Sequence, residues 1–220
     1  TYPSQPIKII VSLAPGGVAD IVARAFAAKL GEQGKQVVVE NRAGAGGSIG
    51  AQAVVDAPPD GYTFVVTPAL SVTILPHLRK LPFDTLKDFA MVSTIGAFSI
   101  VVLVSPESPV KTVKELIAQA KSSGGKFNIG SINIGTTQFL SAELLKSMAA
   151  LDATSVPFNN TAGVLTALRG GSVQVAMEFL PPVLGQIRAN TLRAVAVTSM
   201  QRSPMLPNVP TLNESGLNGF

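Results

Sequence analysis

Apolar, β-branched runs alternate with stretches of helical period along almost the whole chain. The runs cover 7–13, 36–40, 63–67, 98–104, 127–131, 154–158, 173–179 and 192–198, and each predicts a strand. The stretches cover 19–31, 48–56, 71–78, 112–122, 137–149, 161–169 and 182–189, and each predicts a helix. In the first of these, Ile21, Val22, Ala25, Phe26 and the stem of Lys29 share one face. Thr112, with Glu115 three positions on, reads as a capping box. Such alternation predicts an α/β fold with parallel sheets and crossover helices. The apolar stretch from Phe98 to Pro106 sits mid-chain and reads as the passage from one lobe to the next. The expected division is a first lobe of 1–100, with 200–220 returning to it, and a second lobe of 101–199.

Composition narrows the function classes. Apolar residues make up 46% of the 220, enough to build a core. The longest apolar run, around Ile95 to Val104, contains Gly96 and Ser99 and is too short to cross a bilayer. With no cysteine there is no disulfide, thiolate nucleophile or Cys-ligated metal. The opening Thr1-Tyr2-Pro3-Ser4-Gln5-Pro6 resembles a mature N-terminus left after a signal peptide is removed. The net charge is +4, yet the 17 Lys and Arg are scattered, and Arg79-Lys80 is the one adjacent pair. Without a basic stripe, with 5% aromatics and no Trp, the chain does not read as a nucleic-acid binder. A mild positive field suits small organic anions.

Candidate chemistry lies in the strand-to-helix loops. "LAPGGVADIVARAFAAKL" (13–30) passes from a strand through a glycine pair into a helix, where free backbone N–H groups and the helix dipole favour an anion. "FVVTPALSVTILP" (64–76), "FNIGSINIGTTQFLSAELL" (127–145) and "SVPFNNTAGVLTAL" (155–168) repeat that logic. In an open α/β sheet such loops gather at the carboxyl ends of the strands, where ligands bind. Donors from both halves of the chain point to one anion held between two lobes. Strand-to-helix loops also favour Gly, Ser, Thr and Asn for turn geometry alone.

Other chemistries fit less well. No P-loop run exists, and "NRAGAGGSIGAQAV" puts Ile49 where a dinucleotide turn needs its third glycine. That stretch reads instead as a tight loop that lets helix 48–56 pack closely. It contains a literal G-x-S-x-G around Ser48, which makes an α/β hydrolase (esterase) the alternative reading. Against it, Asn41 to Ala45 separate the preceding strand from Ser48, and His77 is the one histidine; Ser48 reads better as an N-cap. No carboxylate pair has metal-ligand spacing, and Asp84 and Asp88 beside Lys87 read as surface. No metal or cofactor is expected. Glu178 stands at a strand's carboxyl end, where it either faces a ligand or is solvated.

The chain resembles the Bug-type periplasmic solute-binding proteins of tripartite tricarboxylate transporters. The stretches that carry the likeness are "YPSQPIKIIVSLAPGGVADIVAR", "VVVENRAGAGGSIGAQAV", "PDGYTFVV", "LPFDTLKDFAMVS", "GTTQFLSAELLKSMA", "ALRGGSVQVA", "LRAVAVTS" and "RSPMLPNVPTLNESGLNGF". The resemblance implies a two-lobed Venus-flytrap fold without catalysis. Its function would be to capture a small organic acid in the periplasm and deliver it to integral-membrane transporter subunits. We expect a monomer. The resemblance makes Gly16, Gly17, Val18, Ala19 and Asp20 one clamp loop, with Ser131, Gly135, Thr136 and Thr137 opposing it. It puts Thr67, Ala69 and Ser71 on the first-lobe wall. Thr136 is expected to donate its hydroxyl or N–H to the ligand carboxylate. Where the family often has Tyr-Lys-Gly and Phe-Asp-Asn, this chain has Phe158-Asn159-Asn160 and Met177-Glu178-Phe179. Phe158, Asn160, Glu178 and Phe179 would therefore line the far end of the ligand. An ionised Glu178 there would repel a second ligand carboxylate unless the pair shared a proton or a water intervened. The expected ligand therefore has one carboxylate in the clamp and, beyond it, an apolar or aromatic body or a hydrogen-bond donor. A dicarboxylate would need Glu178 to face away or its second carboxylate to reach solvent or the Asn159-Asn160 amides. Family members usually continue beyond the position of Phe220, so the first lobe is expected to be incomplete at its C-terminus.

Overall fold

A computed structural model describes residues 2–220, without the side chain of Leu70. The chain divides into a first unit through Gly96 and a second from Ala97 to Phe220. The first unit runs β1 (Ile7–Val11), α1 (Val18–Glu32), β2 (Val37–Asn41), a 3₁₀ turn (Ala45–Gly47), α2 (Ser48–Val55), β3 (Thr63–Val66), α3 (Ala69–Thr73) and α4 (Leu75–Leu78). Its sheet has the order β2-β1-β3, all parallel. Central β1 is buried at Ile7, Ile9, Ile10 and Val11, and Ala19 and Ala23 of α1 pack onto it. The helix expected over 71–78 is two short ones, α3 and α4. Pro76 explains the break: it has no N–H to bond Val72, and its ring crowds that carbonyl.

The second unit runs β4 (Ile100–Val104), α5 (Val113–Ser122), β5 (Phe127–Ile132), α6 (Thr137–Ala149), β6 (Ala153–Phe158), α7 (Thr161–Arg169), β7 (Val175–Phe179), α8 (Leu180–Arg188) and β8 (Arg193–Val197). Its sheet has the order β6-β5-β7-β4-β8. Apolar layers cover both faces. Ile100, Val102 and Val104 enter one core, and Val101 and Leu103 enter the other. That double burial is why β4 reads as an unbroken apolar run. The capping box forms at α5: the Thr112 hydroxyl accepts from Glu115 N–H at 3.2 Å, and the Glu115 carboxylate accepts from Thr112 N–H at 3.0 Å.

The fold departs from the sequence pattern in two places. The sheets were expected to be parallel, but β4 runs antiparallel to both β7 and β8. No crossover helix leads into β4; the irregular segment 79–99 does, so the handed-crossover rule does not set its direction. Residues 200–220 were expected to return to the first lobe, but they pack on the second unit. Leu212 and Leu217 join one core face and Leu206 the other. Val197 N–H donates to Pro210 O and Leu212 N–H to Val197 O, both at 2.9 Å. The tail thereby pairs edge strand β8 at Val197, satisfying that residue's outward N–H and C=O.

Among the described residues no helix is long and apolar enough to cross a membrane.

Candidate functional site

In the first unit the loops after β1, β2 and β3 meet at the carboxyl edge of one parallel sheet. Ser12, fully buried, donates its hydroxyl to Thr67 Oγ1 at 2.8 Å. Thr67 keeps its own proton to donate. Ser71, also buried, donates to Gly46 O at 2.7 Å. Gly47, at φ +95°, lies so close that a Cβ there would be 2.7 Å from Ser71 Oγ. Gly50 brings α2 onto β1: a Cβ would stand 2.6 Å from Ser12 Cα. The glycine loop is therefore held by Ser71 from one side and by β1 from the other. Ala69 lies exposed on α3.

Asp20 shapes the loop ahead of α1. Its Oδ2 accepts from Gly16 N–H at 2.9 Å, and its Oδ1 accepts from Arg24 Nε and Asn41 Nδ2, each at 3.0 Å. Asn41 Nδ2 also donates to Leu13 O at 3.1 Å. Burial opposes its ionisation, but the bonds from Arg24, Gly16 and Asn41 outweigh that and hold the Asp20 pKa below the ordinary carboxylate value. With its acceptors occupied inside the protein, Asp20 holds Gly16 and Gly17 in place. The donors left at this helix start are first-turn backbone N–H groups at Val18 and Ala19, since Gly17 supplies no side-chain cap.

Ser48 is not the N-cap of α2. Gly47 takes that position, and the Ser48 hydroxyl donates back to Ala45 O at 3.0 Å and accepts from Arg79 Nη2 at 3.1 Å. A hydrolase nucleophile needs its proton aimed at a base; this one points at a carbonyl. His77 lies exposed on α4. Among the described residues no group of three metal-ligating side chains forms.

In the second unit β5, β6 and β7 are parallel, so the loops that follow them share one edge. Asn133 N–H donates to Phe158 O at 2.9 Å and ties two of the loops together. Ser131 is fully buried, and its hydroxyl has no partner among the described residues. Gly135, at φ +83°, turns the chain into α6. Thr136 caps that helix. Its hydroxyl accepts from Phe139 N–H at 3.3 Å and points its proton at Ile132 O, 2.7 Å away, with Asn133 O at 2.9 Å. Its N–H donates to Asn133 O at 3.2 Å. Both donors expected to meet a ligand are thus used inside the loop. The donors left there are the first-turn N–H groups of Thr137 and Gln138. Asn160 caps α7, its Oδ1 accepting from Gly163 N–H at 2.8 Å, and Phe158 packs over Gly163.

Glu178 is the unusual group. It is 1% exposed at the end of β7. Its Oε2 accepts from Phe179 N–H at 3.3 Å, while Oε1 has no partner among the described residues. Burial pushes its pKa up to about 7, against the pull of Gln138, Phe179 N–H and Thr161. Phe179 is half-buried beside it. Gln138 and Thr161 were not anticipated. Gln138 was findable: with Ala142, Leu145 and Ala149 it lies on the buried stripe of α6, where a polar residue needs a polar partner.

The structure thus brings Thr67, Ser71 and the glycine loop together on one sheet, and Ser131, Gly135–Thr137, Phe158, Asn160, Glu178 and Phe179 along one edge of the other. Each edge offers hydroxyls and backbone donors at helix starts, and among the described residues neither carries a nucleophile–base pair.

Comparison with known proteins is consistent with that chemistry. Residues 18–220 match the family model described as the tripartite tricarboxylate transporter family receptor. The chain is 36% identical over 220 residues to a UPF0065 protein of Bordetella pertussis, covering 98% of this chain and 67% of that one. It is 34% identical over 226 residues to protein BugT of the same organism, covering 100% of this chain and 68% of that one. Thus the chain spans about two thirds of the length of the curated relatives it matches. Among solved structures, Rpa4515 of R. palustris with adipate superposes with a TM-score of 0.93 at 32% identity, covering 100% of this chain and 74% of that one. MatC from Rhodopseudomonas palustris with bound malate gives 0.87 at 29%, covering 100% and 75%. The periplasmic binding protein BugD gives 0.85 at 31%, covering 99% and 73%. These neighbours are solute-binding proteins, not enzymes, and their two-lobed α/β fold is the fold class of this chain. The chain belongs to the tripartite tricarboxylate transporter receptor family.

Proposed function

We propose that this protein is an extracytoplasmic receptor that works in the periplasm as a monomer. It captures a small organic acid between its two lobes and delivers it to integral-membrane transporter subunits. The ligand's carboxylate is held by donors from both loop sets: backbone N–H groups after Gly17 with Thr67 on one side, and Ser131 with the N–H groups of Thr137 and Gln138 on the other. Asp20, Ser71 and Thr136 act by holding those loops. Phe158, Asn160, Glu178 and Phe179 form the far end of the ligand site.

The observation that carries this reading is Ser131, on the strand that leads into the α6 loop: a fully buried hydroxyl with no partner among the described residues. A buried orphan hydroxyl costs about 1–3 kcal/mol, which a bound acceptor would recover. Adipate and malate in the related structures make small carboxylates the first candidates. The test is a thermal-shift panel of C4 to C6 mono- and dicarboxylates, followed by calorimetry. At least one acid should raise the melting temperature, since a hundredfold excess over Kd stabilises by about 2.7 kcal/mol. Ser131→Ala should then weaken binding by roughly tenfold or more. A panel with no shift, or an unchanged affinity in Ser131→Ala, goes against the reading.

A further inference from the structure

Among the described residues Glu178 is a carboxyl group without a counter-charge. The elements packed on β7 are β4, β5, α6, α7 and α8. Neither β4 nor β5 carries a titratable side chain. On α6, Glu143 and Lys146 pair with each other at 3.0 Å. On α7 and α8, Arg169 and Arg188 occupy the last turns, at the opposite end from Thr161 and Leu180. None of these four charges acts on Glu178; what acts on it is burial, the Gln138 and Thr161 side chains and Phe179 N–H. An ion taken out of water without a partner is costly, and the group takes up a proton instead. The starts of α6, α7 and α8 pull the other way, because helix N-termini favour negative charge. The balance leaves a carboxyl that titrates near neutrality, at about 7.

Resting on the carboxylate-receptor reading above, we infer that Glu178 is the specificity-determining residue at the far end of the site. There it holds a proton that it donates to the second carboxylate of a dicarboxylate ligand. Two facing carboxylates cannot both ionise at close range, so one shared proton turns repulsion into a hydrogen bond. The unpartnered Oε1 is the atom that makes this bond. Phe158 and Phe179 stand at the carboxyl ends of β6 and β7 on the same sheet edge, each packed toward a different core face. The free ligand arrives with both carboxylates ionised; below about 7 Glu178 already carries the proton, and above it one proton enters from solvent on binding. Capture is therefore proton-linked: it weakens as the pH rises past the titration of Glu178, because the proton must then be supplied against its own affinity. A monocarboxylate of equal length makes no such demand.

The experiment uses adipate, malate and hexanoate as probes, with calorimetry at several pH values from about 6.5 to about 9, where the dicarboxylates stay ionised. The affinity of wild type for a dicarboxylate should fall, approaching tenfold per pH unit above about 7, with close to one proton taken up when two buffers of different ionisation heat are compared. Hexanoate should show a much shallower slope. Glu178→Gln, which mimics the neutral acid and cannot titrate, should bind the dicarboxylate with a flat profile and no proton uptake. Dicarboxylate binding by wild type that is independent of pH, or an equal slope in Glu178→Gln, overturns the proton-linked role while leaving the receptor reading intact. Wild-type protein that binds none of the small organic acids at any pH overturns both. If Glu178→Gln does not fold, the wild-type proton count decides alone.

Discussion

Glu178 also makes a prediction for the ligand-free protein. Its pKa stands at about 7 in the fold against an ordinary 4.5. Below the ordinary value the group is protonated in folded and unfolded chains alike, so it exacts no penalty. As the pH rises past that value, the unfolded chain releases the proton while the fold retains it, and stability falls. The fall is complete once the folded group has titrated, just above neutrality, and is worth about 3 kcal/mol. Glu178→Gln removes the titration. The new amide brings two N–H donors into a site where Oε1 has no partner, which costs about 1–3 kcal/mol at every pH. The stability of the variant should therefore lie at or below that of wild type in mild acid and gain on it by about 3 kcal/mol across the neutral range. Urea melts at a series of pH values, followed by far-UV circular dichroism, measure this. Both tyrosines, Tyr2 and Tyr62, lie in the first unit, so tyrosine fluorescence follows that unit separately as an internal control. Parallel stability–pH curves for the two proteins would refute the account of Glu178 as a buried, uncompensated acid.

Two further substitutions separate positioning from contact. Thr136→Val removes the hydroxyl that caps α6 and should cost about 1 kcal/mol of second-unit stability, with Thr136→Ser restoring it; an unchanged melt in the valine variant would count against the cap. Asp20→Asn leaves one of its present donors without an acceptor and should cost about 1.5–3 kcal/mol in the first unit, weakening carboxylate binding through a loosened Gly16–Gly17 loop. Because the Asp20 pKa is lowered in the fold, its contribution is present above the ordinary carboxylate value and lost as the pH falls through the folded one. The difference between Asp20→Asn and wild type should therefore shrink in acid, as urea melts at low pH would read.

Much of this protein was legible in its sequence because the signal is local. Each of the eight stretches expected to be strands overlaps a strand among the described residues, and β4 was the plainest, since a strand covered on both faces must be apolar at every position. The Thr112–Glu115 box was equally readable, because both partners lie within one turn. The loop residues were readable as a set, because strand-to-helix connections fall at one edge of a parallel sheet. Tertiary structure decided what each of those groups is free to do. Thr136 looks like a ligand donor in the sequence, but Ile132 O and Asn133 O take its proton. Ser48 sits in a nucleophile-like frame, but its hydroxyl turns back on Ala45. The direction of β4 and the path of 200–220 depend on which edges lie open after the other strands have paired, which no local pattern encodes. Glu178 shows the difference most clearly. The sequence places a carboxylate at a strand end and leaves it either facing a ligand or in water. Only packing by α6, α7 and α8 removes the water, and with it the stability of the charge.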